Sequence, residues 1–285
     1  MNKTRFYLRI LLAAVGACLP GCATHSPTQP AEKIEGFTDT PMEPGGKWHV
    51  HDPARPQPQM VTPGVAFSQG APAPSDAELL FGGGSLAQWE TVQGKEATWK
   101  TRNDFMETAP RGGGIRTRGK WADFQLHLEW ASPNPPAGTG QGRGNSGILI
   151  NGMYEIQVLD SYNDRTYADG QAAAIYGQSP PLVNACKPPG EWQTYDILFE
   201  SPRWNDKGEL IRKAVATVLH NGVVVQNRYE FNGCTDGISD VVPWRTLSKY
   251  PAPHSPAVFI QLQDHGNPVR FRNIWIRSMH LGENS

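Results

Sequence analysis

The residues with the greatest chemical reach lie in one stretch, QGRGNSGILINGMYEIQVLD, from Gln141 to Asp160. Glycines at 142, 144, 147 and 152 let the backbone come close to whatever lies above it, and Arg143, Asn145 and Ser146 add donors there. In Tyr154–Asp160, alternation puts Glu155 and Gln157 on one strand face and Tyr154, Ile156 and Val158 on the other. Asp160 joins Glu155 only through a bulge. A carboxylate that shares a site with a histidine can give and take protons near neutral pH. His265 is the histidine to consider: along Val258–His265, Val258, Ile260 and Leu262 point one way, and Gln261, Gln263 and His265 the other if the strand stays extended to its end. Each residue also has a plainer use. His265, just before Gly266, can hydrogen-bond a loop; Asn145 can be a turn residue; Glu155 and Gln157 can bind without turnover.

The elements that must position these groups read as all-β. In Phe124–Trp130, Phe124, Leu126, Leu128 and Trp130 face one way and Gln125, His127 and Glu129 the other. Ala214–Gln226 is interrupted by Asn221-Gly222, a strong hairpin signal, and Phe271–Arg277 gives a further strand. No long pattern of period 3.6 occurs after Ala77. Such strands between Gly/Pro/Asn loops predict two packed antiparallel sheets, in a single domain over 76–282. Trp130, Trp192 and Trp275 are expected in the core, whereas Trp121, Trp204 and Trp244 sit in loop contexts suited to stacking on a sugar ring. Arg270, Arg272 and Arg277 are expected in surface pairs.

The first 75 residues read differently. Lys3, Arg5 and Arg9 precede an apolar run from Ile10 to Leu19, the form of a secretion signal over 1–21. That run is too short for the ~20 residues that span a bilayer. Leu19-Pro20-Gly21-Cys22 resembles a bacterial lipobox, which makes Cys22 the expected lipidation site and gives an exported protein held at a membrane, in the outer membrane, periplasm or cell surface, by its lipid alone. Ten prolines fall between residues 23 and 75, with no periodicity, so 22–75 is expected as a Pro-rich, extended tether. Within it, His49 and His51 are a metal-type pair without a third ligand, and Trp48 is expected to strap onto the globular part. In an oxidising compartment Cys186 and Cys234 are the pair left to form a disulfide. Removing the signal takes the net charge from −1 to −4, which argues against a general nucleic-acid binder.

Motifs in order along the chain carry a resemblance. They are Leu80-Phe81-Gly82-Gly83 with Leu86 and Trp89, Phe124–Trp130, Asn145-Ser146-Gly147-Ile148, Tyr154–Asp160, Gly190-Glu191-Trp192-Gln193-Thr194-Tyr195, His220-Asn221-Gly222-Val223, Leu262–Gly266 and Phe271-Arg272-Asn273-Ile274. Over residues 77 to 280 this series resembles the 3-keto-disaccharide hydrolase family. The resemblance implies a concanavalin-like jelly-roll sandwich with a concave sheet that holds carbohydrate. It also implies chemistry at a sugar already oxidised at carbon 3, by a sugar 3-dehydrogenase acting upstream. Beside the laminarinase pattern Glu-x-Asp-x-x-Glu, the middle acid here is Gln157 and the last is the shorter Asp160, which disfavours ordinary retaining hydrolysis.

With carbon 3 a ketone, the proton on carbon 2 is acidic, and a base can remove it as the carbon 1 substituent leaves; water then adds. Glu155 and His265 are the candidate acid and base, in either order, with Asp160 tuning or orienting them. Glu129, Arg143, Asn145, Ser146, Gln157 and Gln263 are candidate contacts to hydroxyls or the keto oxygen. No cofactor is expected; a divalent ion could be shared by Glu129, Glu155 and His265, although no spacing demands one. The competing readings are a lectin-like carbohydrate-binding lipoprotein and a sandwich that docks other proteins.

Overall fold

A computed structural model of the protein describes residues 34–109, 111–235, 237 and 242–279. The expected signal over 1–21 and Cys22 lie outside the described residues. From Ile34 the chain forms one unit, its regular structure nearly all β-strand, in which two antiparallel sheets pack as a jelly-roll sandwich.

The larger sheet has eight strands. Five of them run in the order Val223–Glu230, Val215–His220, Gln193–Glu200, Phe124–Ala131 and Arg270–Ser278, with shorter strands beyond and beside the last. Asn221 and Gly222 both take positive φ, 51° and 79°, and close a two-residue hairpin as the Asn-Gly pair predicts. The smaller sheet has five strands in the order Trp89–Thr91, Ile115–Thr117, Ile260–Leu262, Ser146–Ile150 and Tyr154–Val158. The alternation read from the sequence decides which side chains meet between the sheets. Phe124, Leu126, Leu128 and Trp130 of one sheet and Ile148, Ile150, Ile156 and Val158 of the other are all buried in a single core. Trp121, expected in a loop suited to stacking, is part of that core instead, with its Nε1 donating to Glu78 Oε1 at 2.8 Å.

The stretch expected as a tether departs most from its reading. From residue 34 it lies on the sandwich as an extended strap. Gln59–Met60 pairs in parallel with Val183–Asn184; Val50, His51 and Ala66 are buried. Ser68 donates to Asp196 Oδ2 at 2.7 Å, and the Gly70 amide donates to Glu129 Oε1 at 2.6 Å. A Pro-rich segment cannot bury enough surface to fold alone, but laid on a preformed sheet it needs only scattered anchors, because proline has already restricted its backbone.

No disulfide joins Cys186 to Cys234. Cys186 follows the strand Val183–Asn184 and interacts with Ser161, while the backbone of Cys234 bridges to Lys249. Burial pushes the Cys186 thiol up to about 12, which keeps it protonated.

Candidate functional site

The outer face of the five-stranded sheet carries the site. In the pairing of Ser146–Ile150 with Tyr154–Val158, Gly147 lies opposite Gln157 and Leu149 opposite Glu155. Gly147 is where a small residue matters: a Cβ there would sit 2.2 Å from Glu155 Oε1, so the carboxylate rests directly over the bare backbone. The strand carrying Gln261 ends at Leu262 rather than running on to His265. Gln263 N still donates to Gly147 O at 3.0 Å, and the chain then turns, with Gly266 N donating to Asp264 Oδ1 at 2.9 Å. That turn carries His265 into an exposed position at the rim.

Five of the residues named from the sequence for catalysis or polar contact line one cavity of about 280 Å3: Asn145, Glu155, Gln157, Gln263 and His265. Glu155 is only 2% exposed, so the site has a buried carboxylate and a histidine open to solvent. The cavity falls just under the 300–1,000 Å3 typical of ligand pockets, and suits one sugar ring better than a long chain.

Its polar wall is largely held by its own hydrogen bonds. Gln157 Nε2 donates to Gln141 Oε1 at 3.0 Å, and Asn145 Nδ2 donates to Gln141 O at 2.7 Å. Ser146 Oγ donates to Gln263 O at 2.6 Å and lies behind the wall. One acceptor stands apart: Gln263 Oε1 is buried and has no hydrogen-bond partner among the described residues. A buried acceptor left unpaired costs about 1–3 kcal/mol, and a ligand hydroxyl would relieve that cost.

Sequence reasoning missed Tyr176 in the wall, and left Trp244 only as one of three loop tryptophans. Trp244 is the one of those three that faces the cavity; Trp204 instead meets His254 at a ring separation of 4.5 Å. Tyr176 shares a 2.6 Å hydrogen bond with Tyr167, and both rings pack on His51, at centroid distances of 4.9 and 4.1 Å. Phe37 packs edge-on against Trp244 at 5.5 Å. The strap therefore buttresses two walls of the cavity. Beneath it His51 meets Asp169, with Nδ1 3.3 Å from Oδ1, and both side chains are fully buried. Burial alone would raise Asp169; the His51 hydrogen bond and charge outweigh it and hold the carboxyl below its ordinary range. Nearby Glu43 is pushed up to about 8 by burial, against the pull of Arg55. His49 turns away to Thr40 O, so the two strap histidines do not converge.

Asp160 and Arg143 lie outside the cavity lining and hold each other, Nε to Oδ2 at 2.9 Å. The strand ends at Val158, and Asp160 N donates to Arg143 O, so no bulge brings Asp160 to Glu155. Burial raises the Asp160 carboxyl despite its arginine partner. This pair fixes the loop that leads into Asn145.

Glu129 is on the other sheet. It is fully buried under the strap, accepting from Gly70 N, from Arg272 Nε at 2.8 Å and from Asn273 Nδ2 at 3.1 Å. Burial would raise it; those donors and His127 outweigh burial and carry it down to about 2. A metal shared by Glu129, Glu155 and His265 is thus ruled out by position, since Glu129 faces outward from the opposite side of the sandwich. Arg272, expected in a surface pair, instead closes this buried cluster and stacks over Trp192 at 4.1 Å. Among the described residues no group of three or more His, Cys, Asp or Glu is gathered as for a metal ion.

Residues 76–277 match the family model of the 3-keto-alpha-glucoside-1,2-lyase-like domain. No curated protein matches the chain. Among solved structures, a "putative glycosyl hydrolase" from Parabacteroides distasonis is 41% identical, with a TM-score of 0.68, covering 84% of this chain and 100% of that one. A second protein of that description from the same organism is 18% identical at a TM-score of 0.51, covering 71% and 94%, a likeness of fold alone.

Proposed function

The chain belongs to the 3-keto-alpha-glucoside-1,2-lyase-like domain family, and from that premise we propose that this carbohydrate-active protein cleaves the glycosidic bond of 3-keto-glycosides by elimination and hydration. The observation that carries the reading is the meeting of Glu155, His265 and the unpartnered Gln263 Oε1 at one cavity of single-ring size.

In this reading Glu155, on the cavity floor, takes the proton from carbon 2. The electron pair passes through the enolate of the carbon 3 ketone and forms the carbon 1–carbon 2 double bond as the carbon 1–oxygen bond breaks. His265, at the exposed rim where a leaving group departs, gives that oxygen its proton. That departure restores the carbon 3 carbonyl; water then adds at carbon 1 of the resulting enone while carbon 2 regains a proton, which returns the single bond between them. Tyr176 and Asn145 are wall groups whose polar hydrogens serve the enolate oxygen in this reading, and Gln263 Oε1 accepts from a ring hydroxyl. Trp244, 55% exposed, offers an apolar face to the leaving sugar. The same reading has the protein exported and lipidated at Cys22, with a sugar 3-dehydrogenase supplying its substrate. These points rest on the opening residues and on the family, respectively.

The test is release of 4-nitrophenol from a 4-nitrophenyl 3-keto-glucoside. Glu155→Gln and His265→Ala should each cut kcat/KM by about 10²–10⁴-fold, the usual weight of an acid or base. His265 is exposed, so its variant should melt like the parent. Saccharide binding without any release by the parent protein refutes turnover and leaves a binding protein.

A further inference from the structure

A second cavity, of about 500 Å3, lies between strap residues Gln57–Met60 and the loop 163–171. We propose that it is a second, non-catalytic saccharide site, sized for a neutral disaccharide of glucose; the choice of a saccharide rests on the catalytic reading above.

The lining chemistry argues for hydroxyl groups. Gln57, Asn163, Gln171 and Asn184 contribute carboxamides, which offer both donors and acceptors, as each sugar hydroxyl requires. Pro58 and Met60 supply apolar surface for the C–H face of a ring. Charge gives no competing preference. Asp164 is committed to Gly140 N at 2.7 Å and to Arg143 at 3.7 Å, and Arg165 is the exposed cation at the edge.

Two of the wall amides are already satisfied. Gln57 donates to Thr166 O at 2.9 Å and accepts from Gln171 Nε2 at 2.9 Å. Asn184 donates to Ser161 O at 2.8 Å and accepts from Cys186 N at 3.0 Å. Gln171 is different: it is 2% exposed, and its Oε1 has no hydrogen-bond partner among the described residues. This is the same signature that Gln263 shows in the catalytic cavity. The two cavities also back onto one residue. Gln141 accepts from Gln157 on the catalytic side and donates to Gly170 O, at 2.9 Å, beside Gln171. Gln57–Met60 precede the matched domain, so the strap completes a pocket that residues 76–277 alone leave open.

The experiment is calorimetric titration of the full chain with trehalose, which lacks the ketone and is not turned over in the proposed reaction. The site predicts binding that Glu155→Gln leaves unchanged. Gln171→Met should weaken it about tenfold, the weight of one well-made hydrogen bond. Arg165→Ala, at an exposed position, should weaken it severalfold and decides the matter if Gln171→Met fails to fold. Absence of trehalose binding, or binding indifferent to both Gln171→Met and Arg165→Ala, overturns the site. Failure of the catalytic reading looks different: trehalose binds in a Gln171-dependent way, but no nitrophenol is released.

Discussion

Replacing Gly147 by alanine tests the catalytic geometry without removing a chemical group. The added Cβ would lie 2.2 Å from Glu155 Oε1, 3.0 Å from its Cδ and 3.2 Å from Leu149 Cδ1. Ordinary contact begins near 3.4 Å, so the carboxylate must withdraw by about 1 Å from its place over the strand. The obstructed atom is the end of a side chain, so stability should fall by no more than the roughly 1–3 kcal/mol of overpacking, less the gain from a stiffer unfolded chain. Catalysis is far more sensitive, because a 1 Å misplacement of a reacting group costs about 10²-fold. With the nitrophenyl 3-keto-glucoside, kcat/KM should therefore drop about a hundredfold while the melting curve stays cooperative. Gly142→Ala is the matched control: nothing lies within 4 Å of its Cβ, and turnover should be unchanged. A Gly147→Ala protein with the parent kcat/KM would mean that the seat of Glu155 over Gly147 has no part in the reaction, and the proposed role of Glu155 would fall with it.

Two further predictions concern stability. Glu129 is carried from 4.5 to about 2 in the folded state, so its contribution is complete above the unfolded value and is lost as pH falls through the folded one. Linkage makes it about 3 kcal/mol at pH 7, of which about 2 kcal/mol is gone by pH 3. His127, raised by Asp196 and Glu129 against the pull of burial, works in the opposite sense: its share is full below its unfolded value and is lost as pH rises through the folded one. Urea unfolding should show the acid loss in the parent and a correspondingly flatter profile in Glu129→Gln; an equal slope in both would refute the assignment. The separate sulfurs of Cys186 and Cys234 predict a melting temperature unmoved by reductant. A crosslink over that loop would stabilise the fold by about 4 kcal/mol, and its reduction would lower the transition visibly.

What the sequence revealed follows from which interactions are local. Strand faces are set by alternation, so the grouping of Glu155 with Gln157, and of Phe124, Leu126, Leu128 and Trp130 on the core side, was legible from period 2 alone. The Asn221-Gly222 turn was equally local. The position of His265 depended on where a strand stops, which is decided by the Asp264–Gly266 turn rather than by hydrophobic pattern. Tyr176 carried no motif; it reaches the wall because the loop after Asp169 folds back, its Ala173 amide donating to Gln157 O. Glu129 had the alternation of a ligand-facing residue, and nothing local said that Gly70, 59 positions earlier, would cover it. The cysteine pairing rested on compartment and number, neither of which fixes a distance.

The two outer faces of the sandwich began alike, each a row of polar side chains on an antiparallel sheet, and the strap makes them different. Over the eight-stranded sheet it supplies Ser68 and Gly70 to Asp196 and Glu129, so those carboxylates are covered there. Beside the five-stranded sheet it stiffens the wall around the cavity, through Phe37 on Trp244 and His51 on Tyr176. A buried carboxylate sealed inside a covered polar cluster is a structural anchor. A buried carboxylate at the edge of a cavity that also holds an unanswered acceptor and an exposed histidine is where a substrate can change the balance of hydrogen bonds. By that criterion Glu129 belongs to the fold and Glu155 to the chemistry, and the segment that separates the two roles is the one whose composition gave it no fold of its own.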